Sequence, residues 1–100
     1  MFIELQGGPT VQITFQHNFR DKRPYSEVRI SWWGPVTDDS VQEYLTVAYG
    51  QAHVHPKDAP CRRIGRKIAL ARALQGTGFD KTIRTQVWHQ LMHKYKVRFF

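Results

Sequence analysis

The hydrophobic period of the chain changes once, near residue 56, and that change limits what it can fold into. Before it, apolar residues alternate with a period of two, the mark of strands that bury one face. FIEL opens the chain, GGP marks a turn, and TVQITF sets Val11, Ile13 and Phe15 on one side. HNFRDKRPY reads as a polar loop. SEVRISWW alternates again, with Val28, Ile30 and Trp32 facing one way and Arg29, Ser31 and Trp33 the other. After GPVTDDS, EYLTVAYGQAHV reads as a fourth strand with Leu45, Val47 and Tyr49 on one face. A bulge at Gly50 is expected to return Ala52 and Val54 to the core side.

Beyond residue 56 the period is helical. PKDAPC reads as a helix start with Asp58 as N-cap and Pro60 in the first turn, and that helix is expected to run to about Gln75, where GTG supplies a glycine cap. Asp80 is expected to cap a second helix, KTIRTQVWHQLMHKYK, whose Ile83, Val87 and Leu91 form an apolar stripe flanked by Trp88 and Tyr95. The expected architecture is therefore α+β: an antiparallel meander of about four strands followed by a C-terminal helical hairpin on one face. Residues 1–100 make one domain, a sheet half (1–55) and a basic helical half (56–100), because a chain this short has no room for a second core. With so small a core, self-association into a homo-oligomer is a natural way to bury more surface.

Cys61 is the sole cysteine, so no intrachain disulfide can form. The opening MFIELQGGPTVQ has neither a basic n-region nor an apolar h-region, and no apolar run approaches a membrane span. The expectation is a soluble, cytoplasmic protein with no membrane partner.

Charge is distributed unevenly. The first 55 residues carry four Lys/Arg against six Asp/Glu, whereas residues 56–100 carry eleven against two. A pole this lopsided attracts anions. Its densest part is CRRIGRKIALARAL, in which Arg62, Arg63, Arg66 and Lys67 fall within one arc of a helix, with Ile64, Ile68 and Ala71 expected on the opposite, buried side and Leu70 and Leu74 widening it. Cations at a helix N-terminus add to the positive end of the macrodipole, so they are mildly unfavourable for folding alone. A bound phosphate or carboxylate reverses that sign, which makes the four residues an expected anion site with Arg72 and Arg84 flanking it. Gly65 costs a helix about 1 kcal/mol relative to Ala, so a close backbone approach is expected there. The competing expectation pairs Arg62 and Arg63 with Asp38, Asp39 or Glu43, a common surface arrangement that contributes little.

Other constellations are weaker. His53 with His55, and His89 with His93, each share a face, and with Cys61 they have spacings that suit zinc. Two separate elements would have to converge, so surface or hydrogen-bonded histidines are expected and no metal. Carboxylates are few and scattered, and GxSxG, Walker and GxGxxG motifs are absent, so a binder without a cofactor is expected, not an enzyme. Trp33 and Tyr25, expected outward or in the loop near Arg29, Arg23 and Arg20, suit either base stacking or a protein contact. RNP-type motifs and zinc-finger spacings are absent.

The stretch AHVHPKDAPCRRIGRKIALARALQGTGFDKTIRTQVWHQLMHKY resembles small accessory proteins encoded by tailed bacteriophages and prophages. In that family a strand ending in a G-x-A-x-x-x-P-x-D-like pattern leads into a "GRKIALARAL" helix and then an "R..VW..Y" helix. The matching residues are Gly50, Ala52, Pro56, Asp58, Gly65, Arg66, Lys67, Leu70, Arg72, Leu74, Arg84, Trp88 and Tyr95. The resemblance covers the C-terminal half. It implies phage origin and action in the cytoplasm of an infected bacterium, and supplies no catalytic residues.

Two functions follow as expectations. One is binding of nucleic acid or a phosphate-bearing nucleotide through the arginine-rich helix start, with an oligomer that sequesters a cyclic nucleotide as a special case. The other is inhibition of a host defence or transcription protein through the aromatic and arginine surface of the sheet.

Overall fold

A computed structural model describes residues 1–7, 9–20, 23–35, 43–53 and 61–99. Four strands, β1 (Phe2–Glu4), β2 (Thr10–Asn18), β3 (Tyr25–Pro35) and β4 (Glu43–His53), form one sheet in the order β1-β2-β3-β4, every neighbour antiparallel. Two helices follow, α1 (Arg62–Thr77) and α2 (Lys81–His93). The meander and the trailing helical pair match the expected α+β architecture.

The register explains which face is covered. Val11 opposes Trp32, Ile13 opposes Ile30, and Phe15 opposes Val28. One face therefore carries Ile3, Val11, Ile13, Val28 and Ile30, all fully buried beneath Leu70, Leu74, Val87 and Leu91 of the helices. The helix α1 lies across β3 and β4. At the other edge of the sheet, α2 is tied to β1 and the turn after it. Gln90 Nε2 donates to the Glu4 carbonyl at 2.9 Å and the Gln6 amide donates to Gln86 Oε1 at 2.8 Å. Asp80 caps α2 as expected, its Oδ1 accepting from the Ile83 amide at 2.9 Å.

Three local expectations are corrected. First, β4 has no bulge: pairing with β3 runs unbroken from Tyr25–His53 to Pro35–Glu43, with Gly50 opposite Val28. Second, the covered side of β4 is Ala48, Gly50 and Ala52, while Leu45 and Tyr49 face solvent. A Cβ on Gly50 would overlap the Ala69 carbonyl oxygen and the Ala73 amide, so glycine is what lets the backbones of β4 and α1 approach. Third, α1 is rotated from its expected setting. It buries Ala69, Leu70, Ala73 and Leu74, leaving Ile64 and Ile68 exposed at 58 % and 39 %. Small residues face β4 because only they fit beneath a helix this close. Hydrophobicity alone misplaces the larger isoleucines.

The boundaries of α1 also differ. Cys61 occupies the N-cap position without a side-chain cap hydrogen bond, and left-handed Gly78 (φ 74°) ends the helix. Asp58, the expected cap, and Pro60 lie outside the described residues, as does Val54. Gly65 behaves as expected: a Cβ there would overlap the Ser26 hydroxyl of β3, so the first turn of α1 sits directly on the strand.

After α2 the chain reverses. Lys96 adopts the left-handed region (φ 57°), the Val97 amide donates to the Leu91 carbonyl at 2.8 Å, and Phe99 is carried into the core against Phe15 and Trp88. This tail brings two more cations toward the start of α1.

Candidate anion-binding site

The first turn of α1 meets the end of β2 and the C-terminal tail at one end of the molecule. Their meeting point is a cleft of about 480 Å³ whose lining includes His17, Arg66, Lys96 and Arg98. Arg66 is central to it. Its Nη2 and Nε donate to the Arg98 carbonyl at 2.9 and 3.2 Å, fastening the tail to the helix. Its Nη1 lies 3.5 Å from His17 Nε2, while His17 Nδ1 lies 2.7 Å from the Ser26 hydroxyl. With Arg66 donating, the neutral ring carries its proton on Nδ1. Arg62 reaches over the Phe19 ring, 6.0 Å from its centroid.

Neighbouring positive charge shifts the titrating groups here. Burial, then the Arg66 and Arg62 guanidinium groups, holds His17 below its usual value. Arg66 itself is lowered by burial and by Arg62 and Arg63. At Cys61 the thiol is pulled down chiefly by the Ile64 amide, with the Arg63 amide and the Arg63 and Arg66 charges adding to it. Among the described residues no carboxylate lies within ion-pair distance of Arg62 or Arg66. Arg63 and Lys67 project from the same two turns and are exposed.

The competing ion-pair expectation can be followed only through the backbone position of Glu43. Glu43 opposes Pro35, nine residues along β3 from Ser26, which is about 30 Å of strand. Asp38 and Asp39 lie outside the described residues.

The six expected cations do not form one patch. Arg62, Arg63, Arg66 and Lys67 stay together at the helix start. Arg72 instead turns to the edge of the sheet, its Nη1 donating to the Gln51 carbonyl of β4 at 2.6 Å. Arg84 sits with Lys81 and Gln75 beside a separate cleft between the helices, its Nε buried without a partner. Sequence reading missed His17, Phe19, Lys96 and Arg98. The alternating cations of KYKVR were a visible signal, but the tail's reversal at Lys96 was not.

The aromatic residues separate as well. Tyr25, Arg29 and Trp33 share the open face of the sheet, as expected, and Trp33 is 61 % exposed. However, Trp33 lies about 27 Å along β3 from Tyr25, far from Arg20 and Arg23. Tyr25 meets His53, with ring centroids 5.8 Å apart. The paired histidines do not converge: His53 is on β4, whereas His89 and His93, 4.3 Å apart by ring centroids, are on α2 at the opposite edge. His55 is outside the described residues, and among those described no group of three metal-ligating side chains occurs. Among the described residues no helix is long and apolar enough to cross a membrane. No family model, curated protein or solved structure matches the chain.

Proposed function

We propose that this protein is a non-enzymatic binder of an anionic partner, a nucleic acid or a phosphate-bearing nucleotide, held at the basic end. The observation that carries this reading is the meeting of three segments distant in sequence, which bring Arg66, Lys96 and Arg98 to one cleft whose described lining contains no carboxylate, with Arg62 beside it over Phe19. Folding these charges together costs free energy that a bound phosphate returns. The N-terminus of α1, whose N-cap residue Cys61 carries no carboxylate, adds its dipole in the same direction, whereas α2 has Asp80 at the equivalent position. The resemblance to phage accessory proteins is compatible with a small protein that acts by occupying its target in the host cytoplasm.

The test is charge reversal at two exposed positions that spare the Arg66 clasp. Arg62→Glu with Arg98→Glu is expected to weaken binding of a labelled oligonucleotide at least tenfold with an unchanged circular dichroism spectrum. Equal affinity in the folded double variant would sink the assignment.

A second reading, inhibition of a host protein, is favoured by a different observation. Phe2, Trp33, Leu45 and Tyr49 are large, exposed, and all on the open face of the sheet. It would give a nuclease-resistant complex in host lysate that Trp33→Ala weakens.

A further inference from the structure

The open face pairs its residues in rows across β3 and β4: Tyr25 with His53, Glu27 with Gln51, Arg29 with Tyr49, Ser31 with Val47, and Trp33 with Leu45. The Tyr25 and Tyr49 rows are thus separated by the polar Glu27–Gln51 row, whereas Val47, Trp33 and Leu45 gather toward the other end. A protein-binding patch gathers its apolar residues into a dry centre with a polar rim. Here Tyr49 stands apart from the apolar end, beside Arg29 and the Glu27–Gln51 row.

At the middle row this arrangement becomes a shallow depression of about 380 Å³, lined by Thr14, Gln16, Glu27, Arg29 and Tyr49. One wall is an aromatic ring that is 58 % exposed. The remaining walls supply cationic donors, an acceptor carboxylate, and an amide and a hydroxyl that do both. That combination, a face to stack on and mixed donors and acceptors around the edge, is what an unpaired nucleobase requires. The row at one end, Tyr25 with His53, is next to Ser26, which holds His17 of the basic cleft from the opposite, helix-covered face. A strand on the open face therefore reaches the basic cleft by passing round this end of the sheet.

We propose that the open face is a stacking platform for single-stranded nucleic acid, with one base against Tyr49 in this depression and the strand leading past Tyr25 to the basic end. The inference rests on the anionic-partner reading and narrows it, because duplex bases are already stacked and offer no free face to Tyr49.

Fluorescence anisotropy with a labelled deoxythymidine dodecamer, and with a duplex of the same length, tests it on the intact chain. Tyr49→Ala is expected to weaken the single strand about tenfold or more and to leave the duplex unaffected, while Tyr49→Phe keeps the wild-type affinity. Unchanged single-strand affinity in Tyr49→Ala overturns the platform. If Arg62→Glu with Arg98→Glu still abolishes binding in that case, the basic end stands and only the platform falls. A wild-type protein that binds neither ligand overturns both readings. Should Tyr49→Ala alter self-association in sedimentation without touching oligonucleotide affinity, the face is a contact between copies and the platform is again overturned.

Discussion

On one face of the sheet, α1 lies so close to β4 that the strand carries nothing larger than Ala48, Gly50 and Ala52 beneath it. On the other face the same strand turns Leu45 and Tyr49 toward solvent. The usual rule would place the large apolar residues inside. Here distance decides: a helix backbone against a strand backbone excludes any Cβ at Gly50, so bulk is displaced to the open side. The bulk that remains there is not needed for the core, which makes it available for a partner.

The sharpest way to break this contrast is to substitute neighbours that point in opposite directions. Gly50→Ala forces backbone against backbone and is expected to cost about 3 kcal/mol or more, or to prevent folding, in urea denaturation. Tyr49→Ala, one residue away, is expected to change stability by no more than about 0.5 kcal/mol. Comparable losses in the two variants would erase the distinction between the faces.

Gly65→Ala probes the same close approach at the start of α1. The obstacle there is the Ser26 side chain, which can shift more readily than backbone, so the expected cost falls to about 1–2 kcal/mol. Because Ser26 holds His17, the His17 ring resonances should move as well. Arg66→Gln removes the clasp on the tail and should cost about 1 kcal/mol, with faster amide exchange at Val97 and Phe99.

The smallest effect is in pH. Folding holds His17 below its ordinary value of 6.5, so the folded protein takes up this proton less readily than the unfolded chain. This contribution to stability is full above about pH 6.5 and declines as pH falls through the folded value. A phosphate in the cleft opposes Arg62 and Arg66, and should raise His17 again. NMR titration with and without inorganic phosphate would show the shift; an unmoved His17 would place the anion elsewhere.

How far the sequence could be read depended on what decided each feature. Period-two alternation placed β2 and β3 and their inward residues, because both strands alternate bulk with polarity. It failed on β4, where the inward residues are small and the outward ones large, and it failed on α1 for the same reason, sending Ile64 and Ile68 inward when Ala69 and Ala73 are the contact. Gly65 was read correctly as a close approach, while the same logic at Gly50 was passed over for a bulge. The cationic helix start was legible as a charge pattern. Its completion by Lys96 and Arg98 was not, since it depends on a left-handed residue that is not glycine and on a clasp from Arg66 to a backbone carbonyl. Arg72 and Arg84 were drawn into the site by charge alone, and the fold sends them to other tasks.

The most direct measurement of the central claim is oligonucleotide affinity as a function of salt, for the wild-type protein and for Arg62→Glu with Arg98→Glu. Each phosphate neutralised on a single strand contributes a slope of about −0.7 to log affinity against log salt. A site built from Arg62, Arg66, Lys96 and Arg98 should give a wild-type slope of roughly −2 to −3, flattened by at least about 1 in the double variant. A flat wild-type line, or a steep one that the variant leaves unchanged, would contradict the assignment of the basic end as the anion site.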